Sequence, residues 1–113
     1  TSAIGNYIEA QGCGILRDYC GHGIGSEIHG DPEIPNYDMH RKGPKLCAGM
    51  TLAVEPMITL GSPVCHTADN GWDVIPDDGS LSCHYENTIL ITDGEPEILT
   101  MPGEDKSLLI NIK

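Results

Sequence analysis

The chain contains no phenylalanine, and its 113 residues carry only four tyrosines and one tryptophan. A core short of large rings must be filled by Ile, Leu, Val, Met and Ala. Basic residues are scarce too. Six Lys and Arg face seventeen Asp and Glu, for a formal charge of −11 and a pI near 4.5. Such a surface repels phosphate, so neither nucleic acid nor an anionic membrane is an expected partner. No apolar run approaches the about 20 residues that a membrane helix needs. Residues 1–12 lack the basic start and apolar block of a signal peptide, and the expected location is the cytoplasm. The five cysteines, at 13, 20, 47, 65 and 83, form no C-x-x-C pair, which argues against a zinc knuckle. Their odd number and wide spacing fit free thiols in a reducing compartment better than a disulfide framework.

What the chain has in plenty is glycine and proline, fourteen and eight residues. These imply many turns and short strands. The length suits one domain, or one half of a larger one. Residues 1–12, TSAIGNYIEAQG, read as the end of an amphipathic helix. Ser2 can cap it, Ile4, Tyr7 and Ile8 share a face, and Gly12 stops it. The chain begins abruptly inside this pattern, which reads as a piece of a longer protein. Residues 13–19 are a strand candidate, 19–29 a Gly-rich loop, and 30–45 a long surface loop. The best strand spans residues 50–60, MTLAVEPMITL, with Pro56 breaking its ladder. Residues 61–71 are turn-rich. WDVIP is a short strand opened by Trp72, DDGSLS a turn, and HYENTILIT a strand. DGEP is then a hairpin turn leading into the returning strand EILT. The tail from Met101 carries an apolar LLI. One or two helices followed by several hairpin-linked strands indicate an α+β fold with a curved, mostly antiparallel sheet.

Two carboxylates interrupt apolar strands: Glu55 in LAVEPMI and Glu86 in HYENTILI. A carboxylate there loses hydration unless it is paired or binds a metal. Alternation could still turn both to solvent, because Leu52 and Val54 fall on one face and Ala53 and Glu55 on the other. His22 lies in GHGIG, where glycines allow a sharp turn and a close approach of ligand or chain. The same glycines do not form a phosphate cradle, because their spacing matches no P-loop and no G-x-G-x-x-G motif. An imidazole and two carboxylates make an N/O donor set for a divalent transition metal. His29 could polarise a carbonyl near such a metal. His84, two residues before Glu86, would share its strand face and support the ligands. His40 and His66 read as solvated loop residues, and Trp72 as core packing or a pocket wall. Cys20 beside His22 is the alternative, a nucleophile pair of a cysteine hydrolase.

Three segments, DYCGHGIGSEIHGDPEIPNY, AGMTLAVEPMI and DGSLSCHYENTILIT…EILT, together resemble the C-terminal half of the bacterial type I methionine aminopeptidases. The match runs from about Thr1 to Thr100, in order and with similar spacing. The fold this implies is half of the pita-bread architecture, with residues 1–113 as a single domain and the N-terminal half absent. In that family two divalent metals (Co, Mn, Fe or Zn) are held by two Asp, one His and two Glu. The resemblance places the His at His22, one Glu at Glu55 and the bridging Glu at Glu86. It places His29 where the family contacts the scissile amide, and Cys20 and Trp72 near the pocket for the methionine side chain. It implies hydrolysis by a metal-activated water, with Glu55 shuttling a proton to the leaving amine. The expected substrate is a peptide or nascent-protein N-terminus.

The sequence departs from the family pattern in three ways. Neither Asp18 nor Asp31 falls in the motif of the two Asp ligands, which belong to the N-terminal half. Asn87 stands where the family usually has His directly after the bridging Glu, and is expected beside the ligands. Glu27 adds negative charge beside the Gly-rich segment. Three of five ligands therefore come from this chain, and the expected partner is the missing half. The alternative is a non-catalytic half-fold whose apolar face pairs with a second copy of itself.

Overall fold

The computed structural model describes residues 1–101, so the expectation for the apolar LLI tail lies outside the described residues. Among the described residues one helix, α1 (Ser2–Ala10), precedes ten short strands. Thr1, not Ser2, occupies the N-cap position, and it makes no side-chain cap bond. The C-terminal end is closed as the sequence implies. Gly12 adopts φ +77°, the Gly12 amide donates to Glu9 O, and the Cys13 amide donates to Ile8 O. This is a Schellman arrangement, which a residue with a Cβ fills poorly.

The strands are β1 (Gly14–Ile15), β2 (Gly21–Ile24), β3 (Gly30–Ile34), β4 (Thr51–Val54), β5 (Met57–Thr59), β6 (Cys65–Thr67), β7 (Val74–Pro76), β8 (Ser82–His84), β9 (Asn87–Leu90) and β10 (Glu97–Ile98). All pairings among them are antiparallel. They form a five-stranded sheet in the order β10-β9-β4-β2-β3, a three-stranded sheet β1-β5-β8, and the hairpin β6-β7. The expected curved sheet is thus divided into three, and the one helix among the described residues falls within the expected one or two.

Several expectations change at the level of elements. The Gly-rich segment is a central strand, β2, and the first part of the long surface loop is its edge partner β3. Glycine weakens strand propensity, so neither strand was visible in composition. The turn-rich stretch contains β6. Strand β1 keeps only two of seven expected residues. Trp72 does not open a strand, since β7 begins at Val74.

The two long strands are each split, and at the same level. Strand β4 ends at Val54 and β5 starts at Met57; β8 ends at His84 and β9 starts at Asn87. Across the split, Val54 pairs with Asn87 and Met57 with His84. The pair of segments is therefore one long hairpin that bends from one sheet into the other at Glu55-Pro56 and Tyr85-Glu86. Pro56 has no amide to continue the ladder. Its carbonyl accepts from the Tyr85 amide at 3.2 Å, which ties the two bends together.

One face of the five-stranded sheet is apolar. Ile34, Leu52, Val54, Ile89 and Ile98, with Ile4 and Ile8 of α1, line an open cavity of about 1440 Å³. The buried apolar residues are few: Ile8, Ile15, Leu16, Leu52 and Ala53. Helix α1 borders this cavity, and Gly5 lets it lie close to the segment 36–38. A Cβ there would stand 2.7 Å from Tyr37 Cα. None of the described helices is long and apolar enough to cross a membrane.

Candidate metal centre

Register explains how the polar face of the sheet collects its residues. His22 of β2 lies opposite Ala53 of β4, and Ala53 opposite Thr88 of β9. Side chains alternate along a strand, so these three share a face. Two residues on from Ala53 comes Glu55, and two residues before Thr88 comes Glu86. Carrying the β4–β9 register one step past Val54–Asn87 sets the two glutamates opposite each other at the bend. Their carboxylates and the His22 ring each offer a ligand atom, and all three atoms lie within 4.8 Å of one another.

The tight glycines have a packing cause first. A Cβ on Gly21 would stand 2.2 Å from Ala53 O, and one on Gly23 would stand 1.9 Å from Asp31 O. Strand β2 is pressed between β3 and β4, and only a residue without a side chain fits on that face. His22, between them, is thereby turned to the other face with its neighbours fixed. The ladder shifts register at His22/Gly23, and such irregularities often re-aim a side chain.

The hydrogen bonds set what each donor can do. His22 Nδ1 lies 3.0 Å from the carbonyl oxygen of Gly23, which can only accept. A proton on Nδ1 suits that contact, and the neutral ring in this tautomer offers Nε2 to a metal. That Nε2 lies 3.3 Å from Glu55 Oε1, and both side chains are largely buried, at 15% and 12% exposure. Glu55 Oε2 faces His84 Nε2 at 3.2 Å. Among the described residues the ion pairs of Glu55 are these two imidazoles, with no Lys or Arg. Two carboxylates converging without a Lys or Arg beside Glu55 repel each other as they stand. A divalent ion relieves that repulsion, so the donor set fits a metal.

His84 meets the donor set through Glu55 rather than Glu86. It sits on β8, across the bend from Glu86, and its partner is Glu55. His29 is exposed, but its ring lies 4.4 Å from that of His22, tilted by 50°. Asn87 is engaged on another side, its Oδ1 accepting from Thr100 Oγ1 at 2.8 Å. Trp72 is not core packing: it is 85% exposed in the β6–β7 turn, where Asn70 Oδ1 caps its amide. His40 is exposed, and the exposed His66 is on β6, bonded to Asp77 at 2.6 Å.

The Cys20 thiol is pushed above its ordinary value, first by burial and then by the charge of Glu33, with a smaller push from Glu55; the Ile34 backbone bond opposes them. A nucleophilic cysteine needs the opposite shift. Both ring nitrogens of His22 are moreover engaged, by Gly23 O and by Glu55, so the cysteine-hydrolase alternative lacks its base.

One residue escaped the sequence reading. Asn36 is buried, at 1% exposure, and its Nδ2 donates to Glu55 O at 3.2 Å. The donor must point that way because a carbonyl cannot donate. Asn36 Oδ1 is buried and has no hydrogen-bond partner among the described residues. The only signal in the sequence was an Asn within a Pro-rich stretch, which reads as a turn former.

The bent, antiparallel architecture carries a His-Glu-Glu donor set of metallopeptidase type at its bend. Residues 1–93 match the model of metallopeptidase family M24, and the chain belongs to that family. Its curated relatives include the methionine aminopeptidases of Clostridium acetobutylicum, 54% identical over 99 residues, and of Escherichia coli, 42% identical over 104. These alignments cover 88% and 92% of this chain but 40% and 39% of the relatives, so the chain spans about two fifths of their length. Among solved structures, the methionine aminopeptidase of Thermotoga maritima superposes with a TM-score of 0.83 at 45% identity, covering 88% of this chain and 40% of that one. That of Rickettsia prowazekii gives 0.80 at 40% identity, covering 85% and 39%. The fold is accordingly part of the pita-bread architecture, as the motifs implied.

Proposed function

We propose that this chain supplies three of the metal ligands of a cytoplasmic methionine aminopeptidase, an enzyme that removes the N-terminal methionine of nascent proteins. The observation that carries the reading is the convergence of His22, Glu55 and Glu86 on one point. The two Asp ligands implied by the family resemblance belong to the part of the family fold that these residues do not cover. The five free cysteines support a reducing compartment.

Each side chain then has a task. Bound divalent metals would supply Lewis acidity, polarising the peptide carbonyl and making water a nucleophile at neutral pH. His22, Glu55 and Glu86 would hold the metals. Glu55, which offers one oxygen to the site, takes the proton of the attacking water and delivers it to the leaving amine. His29, exposed beside His22, donates a hydrogen bond to the scissile amide. Cys20 and Trp72 border the methionine side chain, Cys20 as an uncharged thiol suited to an apolar group. Asn87 stays as support for the Glu86 bend through Thr100.

The test is release of methionine from a Met-Ala-Ser peptide with manganese or cobalt, with and without a chain that carries the remainder of the family fold. The reading expects little turnover alone and metal-dependent turnover with the partner, lost in Glu55→Ala. Rapid turnover by this chain alone would sink the three-ligand account.

A second reading rests on the open apolar cavity over Leu52, Val54 and Ile89. A face of this kind asks to be covered, and a second copy of the chain could do so in a non-catalytic dimer. Sedimentation distinguishes the two: a metal-independent dimer without peptidase activity favours this reading.

A further inference from the structure

Glu55 is the one residue of the cluster with an imidazole at each carboxylate oxygen, and the two rings are not equivalent. His22 is held through Nδ1 by the Gly23 carbonyl, which leaves Nε2, the atom beside Oε1, as the ring atom available to a metal. His84 has no such lock. Its Nε2 lies 3.2 Å from Oε2, within reach of a donated hydrogen bond, and its side chain is 48% exposed. One oxygen thus faces the site and the other faces a donor from a different sheet.

Resting on the metal-centre reading above, we infer that His84 is a positioning residue. It holds Oε2 of Glu55 by an Nε2–H donor, so that Oε1 alone is turned to the metal beside His22. The bend makes this restraint necessary. Past Val54 the ladder of β4 ends, Pro56 adds no amide, and the Glu55 carbonyl is held by the side chain of Asn36. The backbone of Glu55 is therefore fixed on one side only, and its carboxylate would otherwise be free to rotate among staggered positions. His84 can do this because Met57, two residues past Glu55, pairs with it across β5–β8. Residues two apart on a strand share a face, which brings the His84 ring over the Glu55 head group. An orienting bond of this kind is a common requirement of metal carboxylates.

The experiment is a manganese titration of the full chain, followed by the loss of the free-ion resonance, for the wild type, His84→Ala and His84→Gln. Removing a partner of a metal ligand costs roughly tenfold or more in affinity, so His84→Ala should weaken binding by about that factor. His84→Gln keeps an N–H donor at similar reach and should recover most of the affinity, which a residue that merely filled space or ligated the metal would not do. Thermal unfolding without metal guards against misfolding, and the half-exposed position predicts little change there. Wild-type affinity in His84→Ala overturns the inference and leaves the metal centre standing. A glutamine variant as weak as the alanine one overturns it too. A wild-type chain that takes up no manganese overturns the metal-centre reading and this one with it.

Discussion

Replacing Glu86 by glutamine should have opposite effects on stability with and without metal. In the metal-free chain the ligand oxygens of Glu55 and Glu86 lie within 4.8 Å. Two unit charges at that separation repel by about 1 kcal/mol in a water-like medium and about 3 kcal/mol at an effective dielectric of 20. Glu86 is exposed, so the lower figure applies and salt screens it. Glu86→Gln removes this repulsion while keeping shape, and the metal-free variant should be about 1 kcal/mol more stable at low ionic strength. For a domain of this size that is a rise of about 4 °C in Tm. With manganese at about 100 times its Kd, the wild type gains about 2.7 kcal/mol from binding. The variant lacks one of three ligands and gains far less. The two unfolding curves should therefore change order when the metal is added. Thermal unfolding in chelator and in excess manganese reads this directly. A variant that is less stable without metal, or that gains as much from manganese as the wild type, refutes the reasoning.

Gly23→Ala should cost about 3 kcal/mol or more in urea unfolding, because its Cβ would meet Asp31 O at 1.9 Å, whereas Gly25→Ala, with nothing within 4 Å, should stay within about 0.5 kcal/mol. Asn36→Ala should lower stability by roughly 2 kcal/mol and weaken manganese binding, since the buried Glu55 carbonyl loses its donor; unchanged affinity would separate Asn36 from the site. The raised Cys20 thiol binds its proton more tightly folded than unfolded, so its contribution to stability is full below the ordinary thiol value and is lost as pH rises through the folded one. Urea midpoints between pH 8 and pH 10 should accordingly fall less steeply for Cys20→Ser than for the wild type. Trp72→Ala should change stability by less than about 0.5 kcal/mol, and the emission of this single tryptophan should be that of a ring in water.

Much of the site was legible because it lies where local signals are strong. Pro56 announced a strand end next to Glu55, and the bend is there. Nothing in HYENTILIT announced the matching bend at Tyr85-Glu86. That break is imposed by pairing: a segment hydrogen-bonded to a bent partner must bend with it. His84 lies beside the cluster, where its spacing set it, but the carboxylate it meets is that of Glu55 rather than Glu86, a partner that only the pairing of the two strands reveals. Strands β2 and β3 were hidden for a different reason. Their glycines and prolines read as loop, while the structure uses the missing side chains to press β2 between two neighbours. Asn36 was invisible because its role depends on a carbonyl 19 residues away. The helix stop at Gly12 needed only local chemistry, and it fell where it was read.

The most direct test of the central claim is the anomalous scattering of a crystal of this chain soaked in manganese. The account predicts a peak within about 2 Å of His22 Nε2 and of carboxylate oxygens from Glu55 and Glu86, absent after chelation. Manganese scattered over surface carboxylates, with the His22–Glu55–Glu86 cluster empty at saturating concentration, would contradict it.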